Sequence, residues 1–465
     1  MKVNLKHIAF CFLFWMPTLK AQPGTPSLQD LIERALEKDF ALANKRLEIQ
    51  STNIDQQKLK EAYLPHIDFS AKDAFMLSSF AVRTHEMKIP QLDIDIAEGK
   101  NRFTATSQLL TAGVETKILI YSGGKIPYLK KALAEKVNAQ TALLEKDKQQ
   151  IIHEVMTAYD QLALLKQVRI VLNESEKRLQ ENKKTADKAF GYGLITKYEH
   201  QKIEVAQAQL ASKITAYNGK RELVLRQLHL LTDIELVQLS VLDPSLTAFK
   251  NVTSDNSFDS RAELIALDAV MEANRFQIQA DKTWFVPKIQ AASSLGYLGL
   301  LDGHIKSSRP LMAEGEKLSA DMPNLNILPM FNIGVGLKWD LFDGREGRRE
   351  IQKSGIELQK TQNEKKEVLE KLELNLFKNR NDLNVANAEI LLREKQKQVA
   401  DNALTQATRE YRTGLIKSLQ LIDAEDDYQN AALQYIQAIY DQRRAVIGLL
   451  QAKGELTIES IRISN

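Results

Sequence analysis

The stretch Phe331-Asn332-Ile333-Gly334-Val335-Gly336-Leu337-Lys338-Trp339-Asp340-Leu341 sets an apolar residue at every second position, with a small or polar residue between. Successive side chains of a strand point to opposite faces, so the stretch predicts a strand with one apolar and one polar face. The alternation ends at Gly344. Beyond it, Leu372, Leu376, Asn379, Leu383, Ala386 and Ile390 recur at steps of four and three, which is the seam of a long coiled-coil helix. A two-faced strand therefore leads directly into a helix too long for an ordinary globular core.

The same junction occurs earlier in the chain. Leu341-Phe342-Asp343-Gly344 is matched by Ile120-Tyr121-Ser122-Gly123, an offset of 344 − 123 = 221. Phe285-Val286-Pro287-Lys288-Ile289 repeats Tyr63-Leu64-Pro65-His66-Ile67 at 287 − 65 = 222. Tyr411-Arg412-Thr413-Gly414-Leu415-Ile416 repeats Phe190-Gly191-Tyr192-Gly193-Leu194-Ile195, again at 414 − 193 = 221. Unrelated landmarks that agree within one residue imply a duplicated unit.

Each half then has the same order. A helix (28–62, and 261–285) stops before Pro65 or Pro287. A strand pair follows, about 66–121 and 288–342, then a long helical hairpin, 124–235 and 345–453, turning at Gly193 or Gly414. The seam Ile151, Val155, Ala158, Leu162, Leu165, Val168 and Leu172 marks the first long helix. The repeats are assigned as 22–250 and 251–465. Four strands of about 10 residues or more are expected, long enough for tilted strands to cross a bilayer. The polar segments 79–102 and 302–329, the second with Pro310, Pro323 and Pro329, read as long loops between paired strands.

The first 21 residues read as a secretory signal: a basic start to Lys6, an apolar run from Ile8 to Met16, and Ala21 before Gln22. The one cysteine, Cys11, lies inside that run, so the mature chain is expected to hold no disulfide and no lipid-bearing cysteine. Its 63 basic and 60 acidic residues are interspersed, which leaves no basic stripe for nucleic acid. No histidine pair has ligand spacing, and no nucleophile elbow, zinc motif or phosphate loop appears. The expectation is a protein without enzymatic activity, metal or cofactor.

Four strands with one apolar and one polar face suit a membrane barrel, yet four cannot close, and open edges are not tolerated in lipid. Copies of the chain must pool their strands. The duplicated order, with Pro65 and Pro287 opening the strand regions and Tyr411 to Ala424 at the second tip, resembles the TolC-like outer-membrane efflux family over essentially the whole mature chain. The resemblance implies a mixed α/β membrane protein, a trimeric outer-membrane β-barrel of about twelve strands continuous with a periplasmic α-helical tunnel. It implies a passive exit duct of a tripartite efflux system for small molecules, partnered by a periplasmic adaptor and an inner-membrane pump and embedded in outer-membrane lipid. An exit duct for type I protein secretion is the alternative within that class. A periplasmic coiled-coil adaptor or scaffold without a barrel is the alternative outside it, and the two hairpins speak against it.

The resemblance also implies site residues. The tips Gly193-Leu194-Ile195 and Gly414-Leu415-Ile416 resemble adaptor-contacting turns. Asp423 matches an acidic constriction ring, and Gln420 stands where a second acidic ring is expected. Tyr411 and Glu199 match positions that hydrogen-bond between coils to close the periplasmic end, while Ile416 replaces an expected arginine. From spacing alone, Asp423, Asp426 and Asp427 share one helix face. Phe75, Phe103, Tyr121, Trp339 and Phe342 are candidates for interfacial aromatic girdles.

Overall fold

The computed structural model describes residues 25–85, 87–89, 94–96, 99–250, 261–310 and 317–459; the expected signal segment, Cys11 included, lies outside them. The chain divides into two compact units that each draw on both sequence halves. One is built from 49–139 and 268–363, the other from 1–48, 140–267 and 364–465.

The first unit holds the strands: β1 (His66–Thr84), β2 (Met87–Ile89), β3 (Ile94–Ile96), β4 (Gly99–Tyr121), β5 (Lys288–Pro310), β6 (Lys317–Met322) and β7 (Leu325–Lys338). β2 and β3 pair only with each other. In the main antiparallel sheet β1 pairs β4, and β4 pairs β5. The far edge of β5 is shared, with β7 along Lys288 to Leu300 and β6 along Gly303 to Pro310. β6 and β7 thus act as one interrupted strand, giving four strand paths. Among the described strands, nothing pairs with the second edge of β1 or of β6 and β7.

The segments expected as loops are largely ladder. β1 and β4 stay in register up to Thr84 opposite Gly99, and β4 and β5 each run 23 residues. Period-two alternation reports which face meets an apolar environment, whereas backbone pairing is indifferent to side-chain polarity. The ladder therefore continues where the alternation fades.

Direct cross-strand partners share a face. Phe69, Val114, Leu295 and Phe331 form one row, and Ile67, Thr116, Ser293 and Ile333 the row beside it. The opposite face carries Asp68, Glu115, Ser294 and Asn332, then His66, Lys117, Ala292 and Gly334. The alternation of 331–341 thus extends across all four paths, giving an apolar face and a polar one. Of the girdle candidates, Phe103 is not on the apolar face: it stacks on its partner Phe80 on the other side, with ring centroids 5.5 Å apart. At the helix end of the sheet, the Trp339 indole N–H donates to the Phe285 carbonyl at 2.8 Å.

The helices are α1 (Leu28–Lys38), α2 (Phe40–Glu61), α3 (Lys125–Gly191), α4 (Lys197–Thr232), α5 (Leu236–Ser240), α6 (Ala262–Lys282), α7 (Glu346–Arg412) and α8 (Ser418–Lys453). The helix expected over 28–62 is broken at Asp39, whose extended backbone ends α1 and whose carboxylate accepts from the Leu42 N–H at 2.7 Å to open α2. α3 and α7 have 67 residues each, about 100 Å at the α-helical rise. The predicted seams are buried, Val155, Ala158, Leu162 and Leu172 on α3 and Leu372, Leu376 and Leu383 on α7.

In the second unit, the chain after α5 runs without regular structure from 242 to 250 and is strapped to α8. Gln442 bonds the Phe249 backbone both ways, accepting from its N–H at 3.0 Å and donating to its carbonyl at 3.1 Å. Arg443 donates to the Thr247 carbonyl at 3.0 Å and to Asp160 of α3 at 2.9 Å, with its guanidinium 4.1 Å from the Phe249 ring centre. Asp160 and Arg443 are both buried. Burial pushes the Asp160 carboxyl up, against the lowering effect of the Arg443 hydrogen bond and charge.

Candidate gate and docking tips

Both hairpins turn by the same backbone device. At the first tip, the Gly193 N–H donates to Phe190 O at 2.9 Å and the Leu194 N–H to Ala189 O at 2.8 Å. At the second, Gly414 donates to Tyr411 O at 3.1 Å and Leu415 to Glu410 O at 2.9 Å. This is the Schellman closure, and it sets Gly193 and Gly414 at φ of +71° and +74°, where a Cβ is strained.

The closure throws the following residue outward. Leu194 and Leu415 are each 76 % exposed, whereas Ile195 and Ile416 are half-buried. Ile416 packs against Leu404, Ala407 and Leu421, beside Tyr411. Each Leu-Ile pair is thus split into a leucine that projects and an isoleucine that is half-buried at the turn.

Glu199 and Gln420 are equivalent positions, 420 − 199 = 221 apart, and each closes the start of its own helix. Glu199 accepts from the Thr196 N–H at 2.9 Å and the Thr196 hydroxyl at 3.1 Å, while its own N–H donates to that hydroxyl at 3.2 Å. This is a full capping box. At the second tip the Lys417 N–H donates to the Gln420 side-chain carbonyl at 3.0 Å, but lysine offers no hydroxyl to return the bond. The Thr196 backbone and hydroxyl bonds hold the Glu199 carboxyl below the usual range, helped by the charge of Lys417. Burial raises the Tyr411 phenol, and Glu199 raises it further. Tyr411, Glu199 and Lys417, from two hairpins of one chain, thus lie within electrostatic reach of one another.

Asp423 stands outside that group, exposed on α8, as does Asp427 one turn on. Asp426 is half-buried and faces a hollow shared with Ser175, Leu179 and Lys213. The three acids therefore do not present one face, because packing of α8 on α3 and α4 claims the Asp426 side.

Sequence reading passed over Glu425. Arg178 grips this buried carboxylate with both fork nitrogens, at 2.9 to 3.1 Å, and rests on the Tyr428 ring at 5.1 Å. The signal was available: Ser418, Leu421, Glu425, Gln429, Ala432 and Ile436 follow steps of three and four, so Glu425 falls in the buried seam of α8. The arrangement fixes coils against each other and presents no acid-base or nucleophilic pair. Among the described residues, no cluster of three or more His, Cys, Asp or Glu would hold a metal.

No helix among the described residues is long and apolar enough to cross a membrane. The sequence profile of the family described as "Outer membrane efflux protein" matches the chain twice, over 31–232 and 254–455, once in each repeat. The outer membrane efflux protein BepC of Brucella suis biovar 1 (strain 1330) is 21 % identical over 372 residues, covering 79 % of this chain and 77 % of that protein. The crystal structure of the Campylobacter jejuni CmeC outer membrane channel superposes with a TM-score of 0.65 at 15 % identity, covering 100 % of this chain and 97 % of that one. That of the Vibrio cholerae outer membrane protein VceC gives 0.65 at 17 % identity, over 92 % and 96 %. With two matched copies spanning most of its length, the chain belongs to the outer membrane efflux protein family: it is an outer-membrane efflux channel with a periplasmic helical extension, not an enzyme.

Proposed function

We propose that three copies of the chain pool their strands into one closed barrel of about twelve, whose polar face lines a passive export path for small molecules. The observation that carries this reading is the sheet itself: four strand paths, two unpaired edges, an apolar face and a polar one. In lipid each unpaired edge costs too much to persist, and β1 of one copy meeting β6 and β7 of the next removes all of them. A polar lumen passes solutes without stripping their water, so the channel needs no energy source of its own.

The tips are the docking points. Leu194 and Leu415 project as apolar knobs for the helical hairpins of a periplasmic adaptor, which in turn joins an inner-membrane pump. Asp423, repeated around a threefold axis, makes a ring of carboxylates whose repulsion favours opening and whose field favours cations. Tyr411, Glu199 and Gln420 fix the shape of the turns on which that ring depends.

Planar-bilayer conductance of the detergent-extracted protein, with its oligomeric mass measured alongside, tests the reading. The expected result is a trimer with discrete channel events and a cation preference that falls in Asp423→Asn. A soluble monomer that conducts nothing overturns the barrel, while channels whose selectivity ignores Asp423 overturn only the gate.

A further inference from the structure

The sheet changes character part-way along its strands. On the apolar face, Ile289 opposite Leu337 begins a band that reaches Gly299 opposite Asn326, ten positions along β5. At the barrel tilt this is about 25 Å, the height of a lipid-facing band. Polar pairs interrupt the face near Gly299: the Gln108 amide donates to both Asp73 oxygens at 2.9 Å, and the Tyr297 hydroxyl to Asn326 at 2.7 Å. Phe75 and Leu77 are the last large exposed apolar side chains of this face on β1.

Beyond Leu77 the same face turns basic. Arg83 pairs Lys100, Ala81 pairs Arg102, and Ser79, Thr104, Lys306 and Ser319 form one row, with Lys317 on the same side of β6. Arg83, Lys100, Arg102, Lys306 and Lys317 are all exposed, and they occupy rows covering about 15 Å of strand height. Among the described residues of the main sheet, the nearest acid of this face, Asp321, is bonded to His304 at 2.7 Å. The opposite face at this height carries the Phe80–Phe103 stack with buried Asn101, Ser107 and Ser307. Beyond Leu77 the face that carried the apolar band carries cations, while the Phe80–Phe103 stack lies on the other face.

We propose that this outward basic belt binds the phosphorylated headgroups of the outer-leaflet glycolipid. The proposal rests on the reading of the apolar face as the outside of a membrane barrel. Height and charge select the occupant: the belt starts one row past Leu77, the last large exposed apolar side chain of this face on β1, so the first anions it meets are the phosphates of the surrounding lipid. Arg and Lys side chains form short charge-assisted hydrogen bonds to phosphate oxygens, and each cation near an anionic membrane surface strengthens attachment about fivefold.

The test uses the full-length extracted channel in nanodiscs, titrated with bisphosphorylated lipid A, its dephosphorylated form and inorganic phosphate, with bound lipid counted by native mass spectrometry. The wild type is expected to prefer the bisphosphorylated lipid, and Arg102→Gln/Lys306→Gln/Lys317→Gln to bind it about a hundredfold more weakly with single-channel conductance unchanged. Equal affinity for the dephosphorylated lipid, or an unaltered affinity in the triple variant, overturns the proposal. So does displacement by millimolar inorganic phosphate, which would mark a free-anion site. If the triple variant fails to insert, Arg102→Gln and Lys306→Gln singly, each expected to weaken binding about fivefold, decide the question. A wild type that forms no channels overturns the barrel reading and this proposal together, whereas channels without phosphate preference overturn this proposal alone.

Discussion

Glu199 and Gln420 perform the same task with different chemistry, and pH separates them. The Glu199 carboxyl lies below the ordinary glutamate value of about 4.3, so its contribution to the first cap is present above that value and is lost as pH falls through its folded pKa. Gln420 does not titrate. Amide hydrogen exchange, corrected for its intrinsic pH dependence, is therefore expected to accelerate severalfold at Thr196 between pH 7 and about pH 3, with Lys417 little changed. Equal acceleration at both positions would refute the assignment. The tip glycines and their leucines were legible because a Schellman turn leaves a local signature. The place of Glu425 in the buried α8 seam was legible from its spacing, but its partner was not, since Arg178 lies 247 positions away.

At the scale of elements, the strap from 242 to 250 is held by Gln442 and by Arg443, whose buried charge pairs with Asp160 between α3 and α8. Asp160→Ala removes the buried carboxylate that neutralises Arg443, at a cost of about 3–5 kcal/mol. Limited proteolysis should then cut within 242–250 much faster than in the wild type, while Asp160→Leu/Arg443→Met recovers most of the resistance. An unchanged cleavage rate in Asp160→Ala would show that Gln442 alone holds the strap. The helices here were readable from their apolar periods, and so was the return of the chain at each glycine. The strand ends were not. Polar, irregular composition gave 79–102 and 302–329 the look of loops, the second with Pro310, Pro323 and Pro329, because a strand without clear alternation has lost the contrast that sequence reading depends on.

For the whole molecule, duplication was the feature most visible in sequence, since three landmarks at one offset survive extensive divergence elsewhere. The proposed closure into a barrel rests on the family resemblance and on elimination, from strands too few to close and edges too costly to expose in lipid. The unpaired flanks of β1 and of β6 with β7 carry one more consequence. In the proposed trimer the sheet is completed only by neighbouring copies, so part of the channel's stability is a dissociation equilibrium governed by mass action. Diluting the reconstituted protein across a larger area of lipid should lower its melting temperature, and a midpoint independent of dilution would mean that a single chain holds its own sheet shut.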